Sequence, residues 1–131
     1  MDNSKLLIDT SIIIDHFRKK DKAKTQLILL YQKYLLHISS VTVFELYNGA
    51  SNPEKVKDIS LLLKNVKVID FNSKIAIEAS RIYRQLLSEN KIIEFRDIFI
   101  ASTAIVNKLP LSTLNINHFE RIKDLRLILD E

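Results

Sequence analysis

Short apolar runs, each ending in a polar or acidic residue, alternate along this chain with stretches whose apolar residues recur every three or four positions. The first run, Leu6-Leu7-Ile8, has the length of a buried strand, and Asp9 ends it. Thr10 or Ser11 then caps a helix carrying Ile12, Ile13 and Phe17. An amphipathic helix is expected over 22–35, with apolar residues at Ala23, Leu27, Leu30, Tyr31 and Tyr34. His37-Ile38-Ser39 reads as the second strand. A short helix from Thr42 to Asn48 follows, closed by Gly49, and Pro53 opens another that runs to about Lys64. Val66 to Ile69 is the third strand. Asn72 or Ser73 caps a long helix with Ile75, Ala76, Ala79, Ile82, Tyr83, Leu86 and Leu87 on one face. A helix from Ile98 to Asn107 and strands at Leu111 to Thr113 and Leu125 to Leu129 complete the order. Such alternation builds a parallel sheet covered on both faces. The expected fold is a three-layer α/β/α sandwich with four to five central strands.

The 131 residues, 47% of them hydrophobic, suffice for one core and are too few for two, so residues 1–131 are expected to form a single domain. No repeat, low-complexity tract or linker interrupts them. With one glycine, Gly49, and two prolines, Pro53 and Pro110, the chain has no glycine-rich phosphate loop. Phosphate would have to be held by basic side chains and metal. The absence of cysteine excludes a disulfide framework and thiolate metal sites and suits a reducing cytoplasm. A net charge of +4 is a mild excess that favours polyanionic partners, and simple solubility accounts for it equally well. The polar start, Met1 to Lys5, is no signal peptide, and no apolar run approaches the roughly 18 residues that span a bilayer, so no membrane partner is expected.

Three carboxylates stand at the ends of apolar segments: Asp9 after Leu6-Leu7-Ile8, Glu45 after Val41-Thr42-Val43-Phe44, and Asp97 before Ile98-Phe99-Ile100-Ala101. Burying an acid there is costly unless it reaches water, a partner or a metal. In open parallel sheets ligands bind beyond the carboxyl ends of the strands, at the switch in strand order, where these acids can converge. Oxygen-only ligands from separate elements suit Mg²⁺ or Mn²⁺, which can hold a phosphate and a hydrolytic water together. The residues thus point to metal-dependent phosphodiester chemistry. Two rivals fit poorly. A receiver-type phosphoryl switch would need Asp70 and Lys108 at positions they match only loosely, and a dehalogenase-like phosphatase needs an acid where Ser11 stands.

Four segments, LLIDTSIIID (6–15), SSVTVFELYNGA (39–50), RDIFIASTAI (96–105) and LSTLNINHFERI (111–122), resemble the PIN-domain ribonucleases, especially the VapC-type toxins of bacterial and archaeal toxin–antitoxin pairs. They occur in family order and span nearly the whole chain. The resemblance implies a parallel α/β/α fold and Mg²⁺ or Mn²⁺ held by Asp9, Glu45 and Asp97. It implies an endoribonuclease that cuts single-stranded regions of structured RNA (tRNA, rRNA or mRNA), leaving 5′-phosphate and 3′-hydroxyl ends and inhibiting translation. It also implies a homodimer silenced by a cognate antitoxin, and it tips Thr113 and Asn115 toward positioning the water or a phosphate oxygen. Many relatives carry a fourth acid where this chain has Asn115, whose amide can still orient a water but brings no charge. That departure leaves a second reading, a PIN-like module that binds RNA or protein without cutting.

Several residues have two readings. Asp15 either supports the site or pairs with Arg18 or Lys19. Arg96 is a phosphate contact or a surface ion-pair partner. Glu94 is read as solvated. His118 is expected to cap or pack beside Phe119 rather than act as a base, and His16 and His37 have weaker claims. Tyr31, Tyr34, Tyr47 and Tyr83 are read as core or interface residues.

Overall fold

The computed structural model describes residues 4–129. Met1 to Asn3, the polar start read above, lie outside the described residues. Four strands, β1 (Lys5–Ile8), β2 (Leu35–Ser39), β3 (Lys67–Ile69) and β4 (Leu111–Ser112), form one sheet in the order β3-β2-β1-β4, and every pairing is parallel. Among the described residues, seven helices surround it: α1 (Thr10–Arg18), α2 (Gln26–Lys33), α3 (Ser40–Asn48), α4 (Pro53–Leu63), α5 (Ser73–Ser88), α6 (Phe95–Val106) and α7 (Ile116–Phe119).

β1 explains the layering. Its last three residues are completely buried, and the strand's two-residue alternation sends them to opposite faces. Leu6 and Ile8 join Ile12, Ile13, Leu27, Leu30, Leu46 and Ile59 from α1 to α4. Leu7 joins Ala79, Ile82 and Leu86 of α5, Ile98, Ile100, Ala101 and Ala104 of α6, and Phe119 of α7. A strand apolar on both faces is stable only between two helical layers, which is the three-layer sandwich expected from the alternation. On α5 the buried residues Ile75, Ala79, Ile82 and Leu86 recur at helical intervals. Phe119 is fully buried and anchors α7; truncation to alanine would cost about 3–5 kcal/mol.

Three local expectations are corrected. The helix expected over 22–35 is only Gln26–Lys33, because its two ends are used otherwise. The Thr25 hydroxyl caps α2 by accepting from the amide of Ile28, while Lys22 Nζ donates to the carbonyls of His16, Phe17 and Lys19 that α1 leaves unpaired. Leu35 already belongs to β2, its amide bonded to the Ser4 carbonyl. The expected fifth strand contributes one bridge, Leu127 to Leu111, since β4 itself is only two residues long. Neither Thr10 nor Ser11 caps α1; Asp9 stands at the cap position without a side-chain capping bond, because its carboxylate is engaged elsewhere.

β2 and β4 flank β1 on opposite sides, so the order of strands switches at β1. A crevice at such a switch opens beyond the carboxyl ends of the strands. Asp9 follows β1 directly, and Thr113 follows β4. α3 leaves β2 there carrying Glu45, and α6 begins two residues before Asp97.

Candidate active site

Asp9 is completely buried at the end of β1. Its Oδ2 accepts two hydrogen bonds, from Ser11 Oγ at 2.7 Å and from Thr113 Oγ1 at 2.8 Å. Its Oδ1 is buried and accepts none. Two hydroxyls thus fix the orientation of the carboxylate and spend themselves on one oxygen, which leaves the other aimed into the crevice in need of a cation. The two hydroxyls are themselves held: Ser11 Oγ accepts from the amide of Leu114 and Thr113 Oγ1 from the amide of Asn115.

Asp97 lies in the first turn of α6, where the helix dipole favours an anion, and is 1% exposed. Burial pushes its pKa above the ordinary carboxylate value, and the charge of Asp9 pushes the same way; the Arg96 charge and a hydrogen bond from His118 oppose. His118 Nδ1 stands 3.0 Å from Asp97 Oδ2. Glu45, half-buried on α3, accepts at Oε1 from the hydroxyl of Thr10 at 2.7 Å. Thr10 in turn is 2.9 Å from the hydroxyl of Thr42, its donor here since its own proton is on Glu45.

One side chain joins all three acids. The Arg96 guanidinium donates from Nη1 to Asp97 Oδ1 at 2.5 Å and from Nη2 to Glu45 Oε1 at 3.0 Å; its Nε bonds Glu45 Oε2. Nη2 lies 3.7 Å from the unbonded Oδ1 of Asp9. The Glu45 hydrogen bonds, followed by the charges of Glu45, Asp9 and Asp97, raise the Arg96 pKa against the opposing effect of burial, so the charge is fixed at every accessible pH.

The three acids and Thr113 read from the sequence therefore meet at one edge. Asn115 stands at the cap position of α7, exposed, and its side chain bonds none of the carboxylates. Asp15 pairs with Lys19 at 3.6 Å, on the solvated face rather than at the site. Glu94 is exposed, as read. Of the two readings of Arg96, the ion pair is the observed one, although it is made inside the crevice. Four contributors lie outside the sequence reading: Thr10 and Ser11 as hydroxyls that orient carboxylates, Thr42 as the donor that holds Thr10, and His118 as the partner of Asp97. The first three sit within three residues of an acid, a signal that was available; the His118 contact spans 21 residues and had none.

The donor set suits a hard divalent cation: oxygen ligands only, from three elements, one of them a buried oxygen without a hydrogen-bond donor. Among the described residues no group of three or more acids, histidines or cysteines is spaced to surround an ion, and the guanidinium of Arg96 spans the acids in that role. Beside Glu45 and Arg96 lies an apolar cleft of about 530 Å³ lined also by Ser40, Val41, Phe44, Phe71 and Phe99. Phe44 and Phe95 are 67% and 61% exposed there and on its continuation, unusual for phenylalanine and typical of surfaces that meet partners.

The PIN domain family matches residues 6–125 of the chain. Ribonuclease VapC1 of Methanocaldococcus jannaschii is 33% identical over 126 residues, covering 96% of this chain and 87% of that protein. Among solved structures, VapBC2 from Rickettsia felis bound to a promoter DNA fragment superposes with a TM-score of 0.82 at 26% identity, covering 95% of this chain and 97% of that one. VapBC-1 from nontypeable Haemophilus influenzae gives 0.82 at 27% identity, covering 95% and 96%.

Proposed function

This chain belongs to the PIN-domain family, among its VapC ribonucleases, and from that membership we propose that it is a metal-dependent endoribonuclease acting as the toxin of a toxin–antitoxin pair. The observation that carries the metal reading is the buried Oδ1 of Asp9, which lacks a hydrogen-bond donor and lies 3.7 Å from the guanidinium that bridges Glu45 and Asp97. Asp9, Glu45 and Asp97 would hold one or two Mg²⁺ or Mn²⁺ ions. A divalent ion so held supplies polarisation of the scissile phosphate and acidification of the attacking water.

The chain's own residues do the rest. Ser11 and Thr113 keep Asp9 in one orientation, Thr10 does the same for Glu45, and His118 for Asp97. Such bonds to ligating carboxylates are worth about 10–100-fold in metal affinity or activity. Asn115, at the rim beside Thr113, orients a water or a phosphate oxygen in this reading. Substrate is RNA with an accessible single-stranded segment, and the setting is the cytoplasm; no helix among the described residues is long and apolar enough to cross a membrane.

A toxin–antitoxin complex from Klebsiella pneumoniae shares the fold, and a partnership of that kind with a cognate antitoxin is part of the function proposed for this chain. The exposed Phe44, Phe95 and Tyr47 offer apolar surface for an antitoxin and for a second copy. One observation favours the alternative of a module that binds without cutting, namely the guanidinium between the acids.

Induced expression in a bacterial host separates the two. The toxin reading predicts growth arrest and new RNA ends bearing 5′-phosphate, both abolished by co-expression of the protein encoded beside it. Harmless accumulation of folded wild-type chain, with no new ends, would remove the toxin reading.

A further inference from the structure

Arg96 makes every contact through which it is held in the crevice with an oxygen that a metal ion would need. Its guanidinium takes Asp97 Oδ1 and both oxygens of Glu45 and faces the otherwise unbonded Oδ1 of Asp9. An ion and the guanidinium therefore exclude one another: both compete for one set of oxygens, and positive charges brought that close repel. Without a cation, three carboxylates of which two are almost completely buried would face each other, a costly arrangement. Arg96 relieves that repulsion from within the chain.

Resting on the metal reading above, we propose that Arg96 is an exchangeable counter-ion: it neutralises the carboxylates of the metal-free protein and withdraws from them when a divalent ion binds. The surroundings permit the exchange. Arg96 is 28% exposed, so its head reaches solvent by rotation of its own side chain. Together with Glu45 it lines the apolar cleft of Ser40, Val41, Phe44, Phe71 and Phe99, against which the methylene stem can rest while the charged head stays wet. A guanidinium released there stands at the edge of the pocket, where the phosphates of a bound RNA would pass, and its planar fork suits phosphate oxygens.

The exchange has a cost that metal binding must meet, so the wild-type chain binds its ion more weakly than the three acids alone would. It also confronts any antitoxin that silences the chain by inserting a basic group: that group would have to displace Arg96 first.

The test is Mn²⁺ binding measured by calorimetry and by the shift in melting temperature for the wild-type chain, Arg96→Lys and Arg96→Gln. Lysine keeps the charge but cannot bridge three acids, and glutamine removes the charge. Affinity is expected to rise in the order wild type, Arg96→Lys, Arg96→Gln, by about tenfold or more between the extremes, which corresponds to roughly 1.4 kcal/mol. The metal-free Arg96→Gln protein should melt lower than wild type and gain more on adding Mn²⁺. Equal or weaker Mn²⁺ binding by folded Arg96→Lys and Arg96→Gln, beside measurable binding by wild type, would overturn the exchange and leave the metal reading standing. Absence of binding by all three would overturn both.

Discussion

Thr113, just beyond β4, donates a 2.8 Å hydrogen bond to Asp9 Oδ2, just beyond β1, across 104 residues of sequence. The bond exists because β1 and β4 are parallel neighbours and both end at the same edge. It engages one oxygen of the Asp9 carboxylate and leaves the other unbonded, 3.7 Å from Arg96 Nη2. Thr113→Val keeps the volume and removes the donor. Mn²⁺ affinity or cleavage rate should fall roughly 10–100-fold, with little change in fold. Calorimetry and initial rates that match wild type would show that Thr113 does not orient the acid in a way that matters.

Asn115 tests the missing fourth acid. Its side chain is exposed at the start of α7, two residues after Thr113. Asn115→Asp adds a negative charge at the rim of a cluster that attracts cations, and Mn²⁺ or Mg²⁺ binding should tighten a few-fold. Unchanged affinity would place position 115 beyond electrostatic reach of the metal.

Much of this site can be read from the sequence because its acids are marked locally. Asp9, Glu45 and Asp97 each adjoin an apolar run, and the alternation of runs and amphipathic stretches places them at one edge of a parallel sheet. The bonds between them are less visible. Nothing in the segment around Arg96 says that its guanidinium turns inward to three acids rather than outward to one, because that depends on Glu45, 51 residues away. The helix boundary at Thr25 is hidden for a similar reason: apolar spacing continues through 22–35, and the capping hydroxyl outweighs it. The expected fifth strand failed through its partner, since β4 is two residues long and can support only one bridge.

His37 gives the fold a pH dependence unrelated to the acids. It is 7% exposed on β2; burial holds its pKa below the ordinary imidazole value of 6.5, nearby Lys5 and Lys67 push the same way, and only the 3.0 Å bond to the Leu35 carbonyl opposes. His16 is lowered too, by burial and by Lys22. The unfolded chain therefore takes up these protons first. Stability present above pH 6.5 is lost as pH falls through that value toward the depressed folded one. Melting temperature should drop between pH 7 and pH 5, and less steeply in His37→Gln. Parallel profiles for the two proteins would clear His37 of the effect.

The exposed apolar surface predicts self-association. Phe44, Tyr47 and Phe95 are exposed, apolar surface that a second copy would cover. Light scattering at micromolar concentration should give the mass of a dimer, and charged replacements at Phe44 or Phe95 should shift it toward the monomer. Wild-type chain that remains monomeric throughout that range would exclude the dimer.

If Asp9, Glu45 and Asp97 hold the divalent ion with which this chain cleaves RNA, purified wild-type chain and Asp97→Asn must differ on a structured RNA assayed with Mn²⁺ and with excess chelator. The amide keeps the shape of the side chain and removes its charge. Wild type with Mn²⁺ should cleave in single-stranded segments, chelation should stop it, and Asp97→Asn, folded by circular dichroism, should lose more than about a hundredfold in rate. Cleavage by wild type that survives chelation, or equal cleavage by folded Asp97→Asn, would exclude these three acids as the catalytic metal site.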